Sequence, residues 1–290
     1  MGKKPQIDNL VLEGGGTHGI AFVGAVQELE RLNVLSSVRN FAGSSAGAIA
    51  ALLLSLGLNG LMVERELREL DFNSLKDDSF GFIRDTYRLV TKYGLYEGIV
   101  FEKWIQSVLE RYGFARNITL SQLFLKTKNS LHITATNVTK GRTEIFNYLT
   151  HPGLPVYLAV RMSMSFPLFF IPIIYNGSRY IDGGLLDNYP IQIFDTYRVN
   201  PYTLGLRLDT SHEIGKMVSY TDENIIKYIE SIANMVYDKL QDDLLSEEDW
   251  KRTIRIDTGT GSSLNFNITD RQINELINSG KLAVKKYFNY

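Results

Sequence analysis

The stretch Gly43-Ser44-Ser45-Ala46-Gly47 joins a short apolar run, which ends at Ala42, to a strong helix-forming segment at 46–56. A Gly-x-Ser-x-Gly pattern at such a junction is typical of a serine on a sharp strand-to-helix turn, with an exposed hydroxyl and a strained backbone. A Cβ at either flanking glycine would collide with the neighbouring strand or helix. The N–H groups and partial positive charge of the helix N-terminus are directed at Ser45 Oγ. The five residues favour a nucleophilic serine, and they fit a plain turn with a helix N-cap about equally well.

The residues around this turn predict an α/β fold. Residues 7–12 form a short strand, glycines 14–16 end it, and Thr17 caps a helix over 17–33. A second short strand leads into Ser45 and its helix, which indicates a parallel sheet with crossover helices.

The rest of the chain continues this alternation. Residues 60–115 are predicted to be mostly helical and rich in aromatic side chains that fill the core or cap a pocket. Further strands are predicted at 131–137, 143–148, 171–175, 179–182, 203–209 and 253–257, and further helices at 156–166, 222–245 and 269–287. No repeat or linker divides the sequence, so we expect one domain over residues 1–290.

The composition excludes several classes of protein. The 290 residues carry a net charge of −1, so no global field attracts nucleic acid. The absence of cysteine excludes disulfides, thiolate catalysis and cysteine metal sites. The N-terminal residues lack an apolar signal core, and the longest apolar run, 46–58, is about two thirds of a membrane span. We expect an intracellular, cytoplasmic protein without nucleic-acid partners.

A second signal is the run Gly14-Gly15-Gly16-Thr17-His18-Gly19, between a strand end and a helix N-terminus. Its N–H groups can converge on one anion. Two sites suit such a loop: the phosphate cradle of a dinucleotide domain and the oxyanion hole of an acyl-transfer enzyme. Residues 36–42 contain no acid, which weakens the dinucleotide interpretation, and no Gly-Lys-Ser/Thr follows to make a Walker A loop.

A third signal is Asp182-Gly183-Gly184, directly after a predicted strand. An acid at a strand end, beside two glycines that leave space, is well placed to meet a serine on a neighbouring turn. Asp-Gly is also a common turn pair, and for these residues alone a turn is the simpler interpretation.

A nucleophilic serine needs a base, because its free pKa leaves almost no alkoxide at neutral pH. Of the four histidines, only His212 follows a good acid candidate, Asp209, in the serine–acid–histidine order of α/β-hydrolases. A Ser45–His212 triad is therefore one candidate machinery, and a solvent-exposed loop histidine fits the same residue.

Together and in this order, the motifs at 13–19, 43–47 and 182–184 resemble those of the patatin-like phospholipase family. Residues 159–167, Ala-Val-Arg-Met-Ser-Met-Ser-Phe-Pro, and 185–190, Leu-Leu-Asp-Asn-Tyr-Pro, look like the family's segments around its acid. The resemblance covers about residues 7–210. Residues 211–290, whose strand and helices complete or flank the domain, carry no matching motif.

The resemblance implies a three-layer α/β/α fold with a mostly parallel central sheet. It also implies a Ser–Asp dyad that uses no histidine, and we expect no metal and no cofactor. Ser45 is then the nucleophile and Asp182 its base, and the amides of Gly14, Gly15 and Gly16 form the oxyanion hole. Further motif residues support this geometry: His18, Gly19, Gly43, Gly47, Gly183 and Gly184. The family usually has Arg or Lys where this chain has His18, which either keeps a cation that titrates near neutral pH or has no role.

We therefore expect a serine acyl hydrolase that releases fatty acids from glycerolipid esters, with phospholipid or lysophospholipid as substrate. Apolar residues shortly before Asp182 suit an acyl chain as well as core packing: Phe166, Phe169, Phe170, Ile171, Ile173 and Ile174. Membrane contact is expected to be transient and peripheral, and the need for an activating protein partner stays open. The alternatives are an esterase with a Ser45–His212 triad and a non-catalytic module that binds lipid or an anion.

Overall fold

The computed structural model describes residues 6–70, 89, 91–209, 245–260, 263 and 267–289. His212 and nearly all of the helix predicted at 222–245 lie outside the described residues. Residues 71–88, which belong to the region predicted to be mostly helical, also lie outside them.

The described strands form a large sheet and a small one. They are β1 (Asn9–Leu12), β2 (Asn40–Gly43), β3 (Gly94–Tyr96), β4 (Ser130–Asn137), β5 (Arg142–Phe146), β6 (Leu168–Phe170), β7 (Ile173–Tyr175), β8 (Ser178–Asp182), β9 (Thr203–Asp209) and β10 (Thr253–Asp257). The large sheet has the order β10-β9-β1-β2-β4-β8-β7, with β5 also on β4, and β3 pairs with β6 separately. The strands from β10 to β4 are parallel, whereas β5, β7 and β8 pair in antiparallel fashion.

The α-helices lie between these strands in the chain, except for the last helix, which follows β10. They are α1 (Ala21–Arg31), α2 (Ala46–Ser55), α3 (Gly60–Glu69), α4 (Ile99–Arg111), α5 (Leu120–Thr127), α6 (Val156–Ser163), α7 (Gly184–Asp187), α8 (Glu247–Lys251) and α9 (Asp270–Tyr287). Short 3₁₀ turns occur at Gly16–Ile20, Leu35–Ser37 and Ile191–Phe194. Of the helices described, none is both long and apolar enough to pass through a bilayer.

Side chains alternate between the two faces of the parallel strands. Leu10 and Leu12 of β1 enter the main hydrophobic core together with the apolar faces of α1, α2 and α9. Val11 lies on the opposite face, where it packs against Tyr189 and Ile191. Because both faces are covered, β1 is buried along its whole length. The predicted α/β class with a mostly parallel central sheet is confirmed.

Three predicted elements differ from the structure. The helix predicted over 17–33 begins as a 3₁₀ turn and is α-helical only from Ala21. Thr17 does not cap it, because the Thr17 hydroxyl donates to the carbonyl oxygen of Ser263. The helix predicted over 156–166 ends at Ser163. The chain then forms β6, which pairs with β3, a strand inside the region predicted to be mostly helical. Pairing between segments so distant in sequence overrides local helical spacing.

The packing of α9 on α1 gives a test of this fold. An ideal Cβ on Gly280 of α9 would lie 2.1 Å from the carbonyl oxygen of Ala21. Helix propensity alone favours Gly280→Ala by about 1 kcal/mol, whereas the clash with backbone is relieved only if the helices separate. We expect Gly280→Ala to lower the free energy of unfolding by about 2 kcal/mol in urea denaturation.

The matched control is Asn278→Ala, at an exposed position of the same helix. It should leave the free energy of unfolding equal or slightly higher, because alanine is the better helix former. A Gly280→Ala protein that is as stable as the control would contradict the close approach of the two helices.

Candidate active site

Ser45 lies on a sharp turn between β2 and α2, as its motif predicts. Its backbone angles are φ 50° and ψ −123°, a left-handed conformation that costs a non-glycine residue about 1–3 kcal/mol. The amide of Ser45 donates to Ser163 Oγ at 2.9 Å, at the end of α6. The strain is therefore held by a tertiary hydrogen bond, and the Ser45 side chain does not cap the helix it precedes.

The two glycines of the motif are required by close backbone contacts. An ideal Cβ on Gly43 would lie 2.3 Å from the carbonyl oxygen of Gly47 in α2. A Cβ on Gly47 would lie 2.3 Å from the carbonyl oxygen of Leu12 in β1. As predicted, neither position has room for a side chain, so strand and helix can pack tightly enough to form the turn.

The side chains of Ser45 and Asp182 are in direct contact. Ser45 Oγ donates to Asp182 Oδ2 at 2.8 Å, and both residues are buried. The other carboxylate oxygen, Oδ1, accepts the amide of Gly184 at 2.8 Å. The amide of Asp182 in turn donates to the carbonyl oxygen of Ser165 at 2.9 Å. The carboxylate is thus fixed by backbone groups with one oxygen directed at the serine.

Strand pairing explains why residues 137 positions apart meet. β4 pairs with β2 up to Ile133, which lies opposite Gly43, and with β8 from Ala135, which lies opposite Asp182. Since β5 occupies the other edge of β4 over residues 133–137, β2 and β8 share one edge of β4. Ser45, two residues after Gly43, and Asp182 therefore reach the same level of the sheet.

The glycine-rich loop lies against Ser45. An ideal Cβ on Gly14 would lie 3.0 Å from Ser45 Cβ, so the loop backbone passes directly beside the serine. The amide of Gly14 donates to the carbonyl oxygen of Asn188 at 3.0 Å, and Asn188 Nδ2 donates to the carbonyl oxygen of Gly14 at 2.9 Å. Because the Gly14 amide already has a backbone acceptor, Gly15 and Gly16 are the stronger candidates for oxyanion donors, and the role of Gly14 stays a prediction.

Hydrogen bonds of buried residues fix the two ends of this loop. Glu13, directly before it, accepts the amide of Leu208 at 2.7 Å and lies 3.4 Å from Arg207 Nε. Burial raises the pKa of Glu13 to about 8, against the opposing effect of Arg207. On the other side, Thr17 donates through both its amide and its hydroxyl to the carbonyl oxygen of Ser263. The loop is therefore anchored to β9 and to the segment before α9.

His18 is buried rather than exposed to the site as a cation. Burial lowers the pKa of His18 to about 4, so the imidazole is neutral near pH 7. Burial therefore favours the second interpretation of His18, a residue without a cationic role, and its ring lies within the 3₁₀ turn Gly16–Ile20.

Three residues near Ser45 are not identified by the catalytic motifs. Ser163 accepts the Ser45 amide, Met164 Sδ lies 3.5 Å from Ser45 Oγ, and Asn188 holds Gly14. All three lie in the segments 159–167 and 185–190, whose likeness to family segments is the only sequence signal for them.

None of the described histidines is a hydrogen-bond partner of Ser45 Oγ. Within the part of the chain that the structure describes, Ser45 Oγ has Asp182 and Met164 as hydrogen-bond partners. His132 instead contacts Ser130 and Asn147, and His151 contacts Thr150. His212 lies outside the described residues, so the geometry of a Ser45–His212 pair is not tested by these contacts.

The sequence model of the patatin-like phospholipase family matches residues 10–195, which include all three motifs. The chain belongs to the patatin-like phospholipase family. The family assignment and the hydrolase class predicted from the sequence are thereby confirmed.

Relatives of this patatin-like protein include viral and bacterial chains. An uncharacterized protein of Acanthamoeba polyphaga mimivirus is 30% identical over 285 residues, 97% of this chain and 93% of that protein. A probable lipid hydrolase of Invertebrate iridescent virus 6 is 32% identical over 190 residues, 65% of this chain and 63% of that protein. The crystal structure of VipD from Legionella pneumophila superimposes with a TM-score of 0.67 at 19% identity, over 98% of this chain and 67% of VipD. The last comparison shows a shared fold.

The buried His18 predicts a pH dependence of stability. Its pKa is about 4 in the folded protein and about 6.5 when unfolded, so the unfolded chain binds the proton first. The stability due to neutral His18 is complete above pH 6.5 and is lost as the pH falls towards 4. Between pH 7 and pH 5, the wild type should lose about 2 kcal/mol of unfolding free energy because of His18. The His18→Gln protein should not show this part of the loss. Equal losses in both proteins, from urea titrations at pH 7 and pH 5, would contradict the burial of a neutral imidazole.

Proposed function

We propose that this protein hydrolyses fatty acyl esters of phospholipids or lysophospholipids, with Ser45 as nucleophile and Asp182 as general base. The observation that carries the proposal is the 2.8 Å hydrogen bond from Ser45 Oγ to a buried carboxylate, at a strained turn between strand and helix. The hydrogen bond already aligns the hydroxyl with the carboxylate oxygen that accepts its proton. The likeness to a probable lipid hydrolase supports the class of substrate.

Acylation begins when Ser45 Oγ attacks the ester carbonyl carbon and passes its proton to Asp182 Oδ2. The carbonyl oxygen becomes an oxyanion, for which the amides of Gly15 and Gly16 are the proposed donors. When the tetrahedral intermediate collapses, the carbon–oxygen bond of the ester breaks, and the departing alkoxide takes the proton from Asp182. The fatty acyl group is left on Ser45 Oγ.

Deacylation repeats these steps with water. Asp182 removes a proton from a water molecule, whose oxygen attacks the acyl carbon and forms a second tetrahedral intermediate. Collapse then breaks the bond to Ser45 Oγ, which recovers the proton from Asp182 as the fatty acid leaves. The bond from the Gly184 amide to Asp182 Oδ1 keeps the carboxylate oriented through both half-reactions.

Of the apolar residues before Asp182, three are buried, Ile171 and Ile173 are half-buried, and one is exposed. Phe166, Phe169 and Phe170 are buried in the main core and therefore pack the fold. Ile174 is exposed on β7, so it is available for contact outside the protein. We assign the buried group to structure, and we propose that exposed apolar residues at this end of the sheet contact the membrane that holds the substrate.

A fluorophosphonate probe tests the nucleophile. The probe should add to Ser45 Oγ with loss of fluoride, give one adduct by intact mass and block ester hydrolysis. Ser45→Ala should abolish both labelling and hydrolysis, whereas Ser44→Ala at the buried neighbouring serine should still label. An adduct that persists in Ser45→Ala, or no adduct in the folded wild type, would favour a non-catalytic lipid- or anion-binding module.

The variant His212→Ala distinguishes the Ser45–Asp182 dyad from the rival esterase with a Ser45–His212 triad. The dyad requires no histidine, so turnover of a short-chain ester should stay within about twofold of wild type. A fall of about 10³-fold, the usual scale for loss of a general base, would favour the triad.

A further inference from the structure

One short segment binds both members of the dyad. It consists of residues 163–165, where α6 ends, and we call it the bridging segment. The Ser45 amide donates to Ser163 Oγ at 2.9 Å, and the Asp182 amide donates to the carbonyl oxygen of Ser165 at 2.9 Å. The nucleophile and the base are therefore held by groups that are two residues apart in the chain. We expect a displacement of this segment to disturb both side chains of the dyad.

A buried arginine holds the bridging segment. Arg161 lies in the last turn of α6, and its side chain is completely buried. Its Nη1 donates to Ser165 Oγ at 2.7 Å, and that hydroxyl in turn donates to the carbonyl oxygen of Arg161 at 2.8 Å. Because the Ser165 hydroxyl accepts one bond and donates another, its orientation is fixed. The two bonds fasten the bridging segment to the end of α6.

The same guanidinium binds the loop between β3 and α4. Arg161 Nη2 donates to the carbonyl oxygen of Glu97 at 2.7 Å, and Nε lies 3.6 Å from Glu102 Oε1 in the first turn of α4. The guanidinium also lies 4.8 Å from the ring centre of Phe170 in β6. Gly98 leaves space for it, since an ideal Cβ on this residue would lie 2.4 Å from Arg161 Nε. The guanidinium therefore connects this loop to the bridging segment.

Stability alone is a poor reason to bury an arginine. Removing a guanidinium from water is costly, and apolar side chains of similar volume often stabilise a fold as well or better. The planar fork of donors offers something that apolar side chains lack, because its hydrogen bonds are directional and select one arrangement of the chain. In this protein, the selected arrangement includes the contacts of the bridging segment with Ser45 and Asp182.

We propose that Arg161 is a positioning residue for the dyad: it fixes Ser165, and through the bridging segment it sets the position of Asp182 relative to Ser45. The positioning is a property of the fold, whereas its effect on turnover rests on the proposed function. A misplacement of about 1 Å between reacting groups can lower a rate by about 100-fold. Loss of this contact should therefore lower kcat and leave KM nearly unchanged.

The variant Gly98→Ala displaces the guanidinium while Arg161 itself is kept. The added Cβ meets the end of a long side chain rather than backbone, so the guanidinium can move and the fold can persist. Gly113→Ala is the matched control. Gly98 and Gly113 flank α4 with φ angles of 74° and 79°, and among the described residues a Cβ on Gly113 would have open space around it. Both variants carry the same kind of backbone strain, so a difference between them reports the contact with Arg161.

Amide hydrogen exchange, measured by NMR, tests the positioning without catalysis. The amides of Ser45 and Asp182 should exchange about tenfold faster in Gly98→Ala than in Gly113→Ala, because their acceptors are no longer held in place. Amides in the β9–β10 pairing, at the other end of the sheet, should exchange equally in both variants. Equal exchange of the Ser45 and Asp182 amides would overturn the proposal. A uniform increase across the sheet would also overturn it, because global destabilisation then accounts for the effect.

Turnover of a dissolved short-chain ester tests the consequence. At a temperature where circular dichroism shows folded protein, Gly98→Ala should lower kcat by about tenfold to 100-fold, with KM within about twofold of wild type. Arg161→Lys should do the same, because lysine keeps the charge and lacks the fork of donors. Gly113→Ala should retain the kcat of wild type.

A double variant tests whether Arg161 acts through the bridging segment. Ser165→Ala removes the hydroxyl that Arg161 binds and keeps the carbonyl oxygen that accepts the Asp182 amide. Adding Arg161→Lys to Ser165→Ala should lower kcat by less than about twofold further, because both changes break the same contact. A second full loss of kcat would contradict action through this segment.

The two readouts separate this inference from the proposed function. If the exchange rates differ as expected although the wild type cleaves no ester, the proposed function fails and the positioning stands. If the wild type cleaves esters, and Gly98→Ala equals Gly113→Ala in exchange and in kcat, the positioning fails and the proposed function stands.

Discussion

A single strand with two partners on one edge determines the active-site geometry. β4 pairs with β2 up to Ile133 and with β8 from Ala135. The carboxyl ends of β2, at Gly43, and of β8, at Asp182, therefore lie side by side. The hydrogen bond between Ser45 and Asp182 is therefore a consequence of sheet register. A slip of one residue in either pairing would turn a side chain to the other face and separate the dyad. The main core, which packs α1, α2 and α9 on the parallel strands, stabilises that register.

The site combines strain with rigid support. Ser45 holds an unfavourable backbone conformation, and the bond from its amide to Ser163, together with the tight contacts of Gly43 and Gly47, opposes relaxation. Asn188 fixes Gly14 beside the serine in the same way. Such preorganisation matters for acyl transfer, because donors and base that are already in place need no reorganisation in the transition state. The neutral, buried His18 adds packing to this arrangement and no charge.

Local signals in the sequence predict the turn at Ser45, the glycine-rich loop and most of the strands, since these depend on residues close together in the chain. The meeting of Ser45 with Asp182 follows from the family resemblance, because no local pattern specifies which strands share β4. The engaged Gly14 amide escapes prediction because its partner, Asn188, is 174 residues away in the chain. The low pKa of His18 escapes prediction because it results from burial in the folded protein. β3 lies in a region predicted to be mostly helical, because its partner, β6, lies some 70 residues later in the chain.

The most direct test of a Ser45–Asp182 dyad is mass spectrometry of the lipids released from phospholipid vesicles by wild type and Asp182→Asn. Asparagine keeps the size of the side chain and an oxygen for the Gly184 amide, but it cannot accept the serine proton as a base. We predict that wild type yields free fatty acid and the matching lysophospholipid, and that the folded variant is slower by about 10³-fold. Release by Asp182→Asn within about tenfold of wild type would contradict the account.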